Sequence, residues 1–371
     1  DAQSGNFLPQ IRRRKPWLTP LGYHAGMLKV ASSSQDSPAL RAKAPRVAVI
    51  VPAYGVAHLV GEALASLQAQ QFTDWECVVI DDGAPDDVAG AVAPFLTDPR
   101  IRFVATENQG VSAARNTAIA ATSAPLIALL DGDDRLRAEY LATTVPLLEA
   151  DPSIRLVTSN AWLFGAVPRE RPCFAGRDSD SEGRLGDVLD RSFMVYIGTT
   201  FRRADFDAVG GFDATMAQAE DFDLWVRLME LGGRAFYVGQ MMGEYRVRAN
   251  SASAHADRML LGNLKVYEKA RAALPADASE QGLIDRLIAE TQRALDFEHA
   301  IDRVVDGDIA GGLDELRRVR ALVGGPVWAL SFALWRLAPG LARPMLSWRR
   351  LAHSRGGPQT LQHDDALGVA A

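Results

Sequence analysis

The chain alternates short, unbroken apolar runs with stretches of helical period. From residue 47, "VAVIV" is aliphatic throughout and stops at Pro52, the pattern of a strand buried on both faces. "VAHLVGEALASLQAQ" follows with apolar residues at helical spacing from Leu59 through Leu64 to Leu67. "WECVVIDDG" predicts a second buried strand, closed by Asp81, Asp82 and Gly83, and a helical segment is expected near 86–96. "IRFVATE" is a third strand, "GVSAARNTAIAAT" an Ala-rich helix and "APLIALLDGDD" a fourth strand. Strand alternating with helix in this way predicts βαβ units: an α/β fold with a Rossmann-like, doubly wound and mainly parallel sheet.

The second half is less regular. "IRLVTSNAWLFG" reads as a strand pair, followed by the polar loop "RDSDSEGRLGD". "AEDFDLWVRLMELGG" predicts an amphipathic helix with Leu224, Trp225 and Leu228 facing inward. Beyond "RAFYVGQMMGEYRVRANSAS" the pattern is almost wholly helical to about residue 323, and "ALDFEHAIDRVVDGDIAGGLDELRRVRAL" reads as one helical hairpin hinged at Gly307 and Gly311-Gly312. Four regions result: a partly disordered extension over 1–45, an α/β domain over 46–250, a helical region over 251–323 and an apolar, basic tail over 324–371.

Composition narrows this picture. The 371 residues are 48% hydrophobic, enough for one large core or two ordinary ones. A net charge of -6 gives no reason to expect a nucleic-acid partner. The two cysteines, Cys77 and Cys173, exclude a disulfide framework or a cysteine-based zinc site and fit a reducing compartment. No stretch approaches the roughly 20 apolar residues of a membrane-spanning helix. The basic run "RRRK" near the start lacks the apolar core of a secretory signal, so the expected location is cytoplasmic.

In open parallel sheets ligands bind beyond the carboxyl ends of the strands. Those ends carry Pro52-Ala53-Tyr54, Asp81-Asp82, Glu107-Asn108 and Asp131-Gly132-Asp133. Carboxylates crowded as in Asp131, Asp133 and Asp134 repel one another, and a hard divalent cation offsets that repulsion. Gly132 between them admits close approach of the backbone. The alternative is a solvated turn with Asp134 capping the next helix. Asp81 and Asp82 suit either a base-binding carboxylate or a turn whose acids bond their own backbone. Glu220, Asp221 and Asp223 head the amphipathic helix, where acids favour the dipole with no further role, or where one serves as a general base.

Taken in order, "VAVIVPAYGVAHLVGEALASLQAQQFTDWECVVIDDGAPDD", "ENQGVSAARNTAIAAT", "LIALLDGDD", "GGFD" and "AEDFDLWVRL" resemble the family 2 glycosyltransferases with a GT-A fold, over about residues 46–250. The resemblance implies a hexosyltransferase-type enzyme that takes a nucleoside-diphosphate sugar, with UDP as the family's habit, uses Mn²⁺ or Mg²⁺ and usually inverts the anomeric carbon. It implies that Pro52, Ala53 and Tyr54 line the nucleoside pocket, that Asp82 bonds the base with Asp81 nearby, and that Asn108 and Arg115 lie near the donor. Asp131, Gly132 and Asp133 become the Asp-x-Asp element, with Asp131 and Asp133 as the metal-side acids and the share of Asp134 open. Asp221 becomes the base and Glu220 its support. One departure stands out: relatives often carry a His after the "YR" pair, where this chain has Arg248, a residue that clamps phosphate but cannot ligate metal.

The tail "VWALSFALWRLAPGLARPMLSWRRLAHSR" combines aromatic and aliphatic residues with Arg336, Arg343, Arg349 and Arg350. It fits peripheral contact with the cytoplasmic face of the inner membrane, and thereby a lipid-linked glycan acceptor, as well as it fits a helix packed on its own domain or a subunit contact. Two rival readings differ from transfer chemistry. A nucleotidyltransferase would show a glycine-rich loop with a basic residue after the first strand, which "VPAYGVAHLV" lacks. A non-catalytic sugar-nucleotide-binding scaffold would use the hairpin at 291–322 as its interaction surface.

Overall fold

The computed structural model describes residues 44–248, 256–319 and 326–354; the expected N-terminal extension lies outside them up to residue 43. The strands are β1 (Val47–Ala53), β2 (Trp75–Asp81), β3 (Ile101–Ala105), β4 (Leu126–Leu129), β5 (Arg135–Leu136), β6 (Ile154–Gly165), β7 (Arg171–Pro172), β8 (Ser181–Gly183), β9 (Thr200–Arg202) and β10 (Arg234–Val247). Helices α1 (Val60–Gln68), α2 (Val88–Val92), α3 (Val111–Ala120), α4 (Tyr140–Ala150), α5 (Leu185–Leu189), α6 (Arg203–Ala208) and α7 (Glu220–Glu230) are interleaved with them. Five helices follow: α8 (Ala256–Ala273), α9 (Gln281–Asp306), α10 (Ile309–Arg318), α11 (Pro326–Leu337) and α12 (Ala342–Ser354).

One sheet runs in the order β3-β2-β1-β4-β9-β6-β10-β5, with β7 on β6 and β8 on β10. The first four strands are parallel, as their fully apolar texture predicts. Alternate residues of each strand enter opposite cores: Ile50, Ile80 and Leu129 join one cluster, and Val49, Val51, Val79 and Ala128 the other. Both faces are therefore covered, and the free carboxyl ends are where polar residues gather. The second half mixes directions: β9 runs antiparallel to β4 and β6, whereas β6 and β10 are parallel.

The segment "IRLVTSNAWLFG" is a single strand, β6, and not the expected pair. No turn interrupts it because the polar residues at its centre are satisfied from outside. Asn160 is fully buried, donates from Nδ2 to Phe174 O at 2.8 Å and accepts from Phe174 N at 3.0 Å. The hairpin hinges at Gly307 alone, which closes α9 at φ 114°. Gly311 and Gly312 lie inside α10, and a Cβ on Gly312 would come within 2.7 Å of Ala300 O, so that glycine allows α10 to approach α9. The face between α9, α10, α11 and α12 holds a third core that includes Phe297, Val304, Trp328, Phe332 and Trp335.

Asn160→Leu removes both partners of the buried Phe174 peptide groups. It is expected to cost about 2–6 kcal/mol, one to three per orphaned group, read as a lower urea midpoint at unchanged slope.

Candidate active site

The turn after β4 is held against the end of β1. Leu130 N donates to Ile50 O at 3.1 Å and Gly132 N to Pro52 O at 3.3 Å. A Cβ on residue 132 would sit 2.9 Å from Pro52 O, so only glycine lets the acidic turn lie this close.

The three acids of this turn take three different environments. Asp131 accepts from Arg115 Nη2 at 2.8 Å. Asp133 lies 2.7 Å from Arg248 Nε, a charge contact and not an aligned hydrogen bond. Burial, reinforced by the charge of Asp131, pushes the Asp133 carboxyl above its usual range. Asp134 is buried, accepts from Tyr196 Oη at 3.0 Å and from Arg246 N at 2.8 Å, and burial drives its pKa up strongly. Its two oxygens are thereby taken up by the fold, whereas Asp131 and Asp133 line the cleft.

Helix α7 supplies the second set of acids. It begins after Ala219, a non-glycine residue in the left-handed region at φ 57°. Glu220 accepts from Arg115 Nη1 at 2.9 Å, and burial together with the neighbouring Asp221 raises its pKa. Asp223 is buried and belongs to the fold, paired with Arg227 at 2.6 Å and with Lys269 of α8. Leu224, Trp225 and Leu228 are buried, as their spacing predicts. Asp221 Oδ1 accepts the Phe222 N–H at 2.7 Å.

Arg115, from α3, thus joins the strand-end turn to the head of α7. Burial disfavours its charge, but Asp131 and Glu220 outweigh that and hold its pKa above the ordinary value. Arg115, Asp131, Asp133, Glu220, Asp221 and Arg248 line one cavity of about 340 Å³. Its opposite wall is apolar and aromatic, with Leu163, Phe174, Tyr196 and Tyr245. Tyr196, Tyr245 and Gln218 of this lining were not singled out from the sequence; a lone aromatic in "FMVYIGTT" carries no local signal.

The residues expected at the nucleoside, Pro52, Ala53, Tyr54, Asp81, Asp82 and Asn108, lie outside this cavity's lining. They still share a rim, since β1 and β2 pair Ala53 with Asp81. Tyr54 is 51% exposed at the end of β1. Asp82 is buried, and its two oxygens accept from Gln109 N and Gly110 N, each at 2.9 Å. Asp82 therefore anchors the loop leading into α3. Asp81 Oδ1 accepts from Ala84 N at 2.8 Å and Asn108 Oδ1 from Gly110 N at 3.2 Å.

A Rossmann-like sheet with acids from a strand-end turn and from a helix head in one cleft defines a GT-A-type enzyme. The sequence profile "Glycosyl transferase family 2" matches residues 48–207. A UDP-Glc:α-D-GlcNAc-diphosphoundecaprenol β-1,3-glucosyltransferase of Escherichia coli is 33% identical over 218 residues, 56% of this chain and 80% of that protein. A chondroitin synthase of Escherichia coli is 25% identical, but the chain spans only 27% of its length. The fold is shared with S. aureus TarS bound to UDP-GlcNAc (TM-score 0.58, 17% identity, 84% of this chain and 88% of that one). It is shared too with a mannosyltransferase of Pyrobaculum calidifontis in complex with GDP-Man and Mn²⁺ (TM-score 0.54, 20% identity, 84% and 86%). The chain belongs to glycosyltransferase family 2.

Arg115→Met removes a buried guanidinium and leaves the half-buried Asp131 and Glu220 without their common cation. The expected loss is about 3–5 kcal/mol in chemical denaturation, the range for removing one partner of a buried ion pair. Adding Glu220→Gln should restore part of it.

Proposed function

We propose that this enzyme is a metal-dependent, inverting glycosyltransferase that moves a sugar from a UDP-type donor to a hydroxyl of a glycan or lipid-linked acceptor. The observation that carries the reading is the single cleft lined by both Asp133 and Asp221, from elements far apart in sequence. The donor set fits a hard divalent ion: Asp131 and Asp133 offer carboxylate oxygens, and crowding makes a cation welcome there. Among the described residues no group of three or more metal-type ligands gathers, so Asp131 and Asp133 would share the ion with diphosphate and water, as Mg²⁺ sites commonly do. Bound there, Mn²⁺ or Mg²⁺ supplies Lewis-acid compensation for the charge of the leaving nucleoside diphosphate.

The chain's own residues do the rest. Asp221 accepts the proton of the acceptor hydroxyl, a role worth roughly 10²–10⁴-fold. Glu220, gripped by Arg115, keeps the head of α7 oriented. Arg248, with Arg246 beside it, clamps the diphosphate. At the nucleoside end Tyr54 packs on the base, and Asp81 takes its polar edge while Asp82 holds the loop behind it. Attack in one displacement inverts the anomeric carbon without an enzyme nucleophile. Metal-dependent release of UDP from a panel of UDP-sugars tests this. Asp133→Ala and Asp221→Asn should each lower it by roughly 10²–10⁴-fold; full activity in either would overturn the assignment.

Two supports favour a lipid-linked acceptor at a membrane. The Escherichia coli relative and a Campylobacter jejuni relative (28% identical, 73% of its length) are by name enzymes of undecaprenol-linked glycans. In addition, α11 buries Trp328, Phe332 and Trp335 on one side yet exposes Val327, Leu330, Leu334 and Leu337 on the other. Leu341, just before α12, and Met345 and Trp348 on it are exposed as well. The charge around them is less free than the sequence promises: Arg349 pairs with Glu298 at 3.4 Å, Arg350 pairs with Asp302, and Arg343 Nε donates to Val305 O at 2.9 Å. No helix among the described residues is long and apolar enough to cross a membrane. Peripheral contact with the cytoplasmic face, apolar stripe inward and Arg336 at the headgroups, is the reading we adopt. The intact protein should float with phosphatidylglycerol vesicles, and Leu330→Glu with Leu337→Glu should abolish flotation. Sedimentation of the wild type away from vesicles, or a stripe closed by self-association in light scattering, would defeat it.

A further inference from the structure

The cations around the acidic turn are not equivalent. Arg246 is fixed: its Nε donates to Asp133 O at 2.9 Å, its Nη2 donates to Glu62 at 2.6 Å, and its side chain is 16% exposed. Arg115 is fixed between Asp131 and Glu220 and is buried. Arg248 lies at the cleft mouth, 39% exposed, with its Nε on Asp133 Oδ2. Each of the two acids that would face a metal thus already carries a guanidinium, and the one on Asp133 is by far the more exposed.

We infer that Arg248 excludes free divalent metal from Asp133 and yields the carboxylate only when a nucleoside diphosphate takes the guanidinium. The inference rests on the proposed assignment of Asp133 to the metal and of Arg248 to the diphosphate. A divalent ion arriving alone must compete with a cation 2.7 Å from its ligand and then remain beside that cation. Diphosphate changes both conditions. Its oxygens offer the guanidinium a bidentate partner, and they supply the anionic charge and hard ligands that the ion lacks when alone. Metal and donor then enter as a coupled pair, and linkage requires each to raise the other's affinity by the same factor. Arg248 acts here as a positioning residue that sets the order of binding.

The experiment is Mn²⁺ binding to the full chain, followed by the paramagnetic resonance of free Mn²⁺, with and without UDP. Wild type should bind Mn²⁺ weakly alone and more tightly with UDP. Arg248→Met should raise the UDP-free affinity by about five- to tenfold and shrink the coupling to UDP, within the usual range for linked sites. Arg248→Lys keeps the charge and should stay as weak as wild type without UDP, a distinction that loss of a merely structural arginine would not make. Unchanged UDP-free affinity in Arg248→Met, with UDP-dependent binding still lost in Asp133→Asn, overturns the exclusion but leaves the metal assignment standing. UDP-dependent Mn²⁺ binding that survives Asp133→Asn, or no binding at all, overturns the metal assignment itself and this inference with it.

Discussion

Four carboxylates in one cleft, Asp131, Asp133, Glu220 and Asp221, would drive the strand-end turn and the head of α7 apart if nothing opposed their charge. Arg115 is the opposing element. It reaches Asp131 at 16 residues' separation and Glu220 at 105, so one side chain fixes the distance between elements that the chain itself does not connect closely. A lysine could not do this equally well, because the two contacts use different N–H groups of a planar fork. Burying that guanidinium is costly, and its contacts with two carboxylates offset the cost. What the cleft can do to a substrate follows from this grip, since Asp221 rides on the helix that Glu220 and Arg115 hold.

The acidic turn divides its labour by direction. Asp133 looks into the cleft, while the next residue, Asp134, turns into the protein and accepts from Arg246 N and Tyr196 Oη. That inward acid fastens β10 to the end of β4, which brings Arg246 and Arg248 against Asp133. An acid whose burial raises its pKa is expensive as a mere strut. Its position makes sense because β10 is bulged, with register shifts around Val238, Met241 and Gly243, and needs a fixed point near its end.

What could be read along the chain was whatever a local pattern determines. The parallel strands β1 to β4 announce themselves by short, largely apolar runs, and their polar ends mark the rim because topology puts ligands there. The inward face of α7 follows from its period. What could not be read depends on partners distant in sequence. The length of β6 depends on Phe174 satisfying Asn160; the anchoring role of Asp82 depends on the loop at 109–110; the tethering of Arg349 and Arg350 depends on α9 supplying Glu298 and Asp302. The glycines at 311 and 312 look like a hinge in sequence and turn out to be contact surface, because a missing Cβ serves close packing as readily as it serves flexibility.

The left-handed Ala219 shows how far the helical region is built into the cleft. An L-residue there costs about 1–2 kcal/mol and persists only where its surroundings over-determine it. Helix α8 provides that constraint. A Cβ on Gly262 would stand 3.0 Å from Gln218 O, so α8 lies directly against Gln218 and the left-handed Ala219 that precede Glu220. Further along the same helix, Lys269 binds Asp213 at 2.6 Å as well as Asp223, and Tyr267 meets Phe222 edge-on at 5.8 Å between ring centroids. The "GGFD" turn, α7 and α8 are therefore one packed body, and a change on α8 should be felt at Asp221 through the backbone of residue 219.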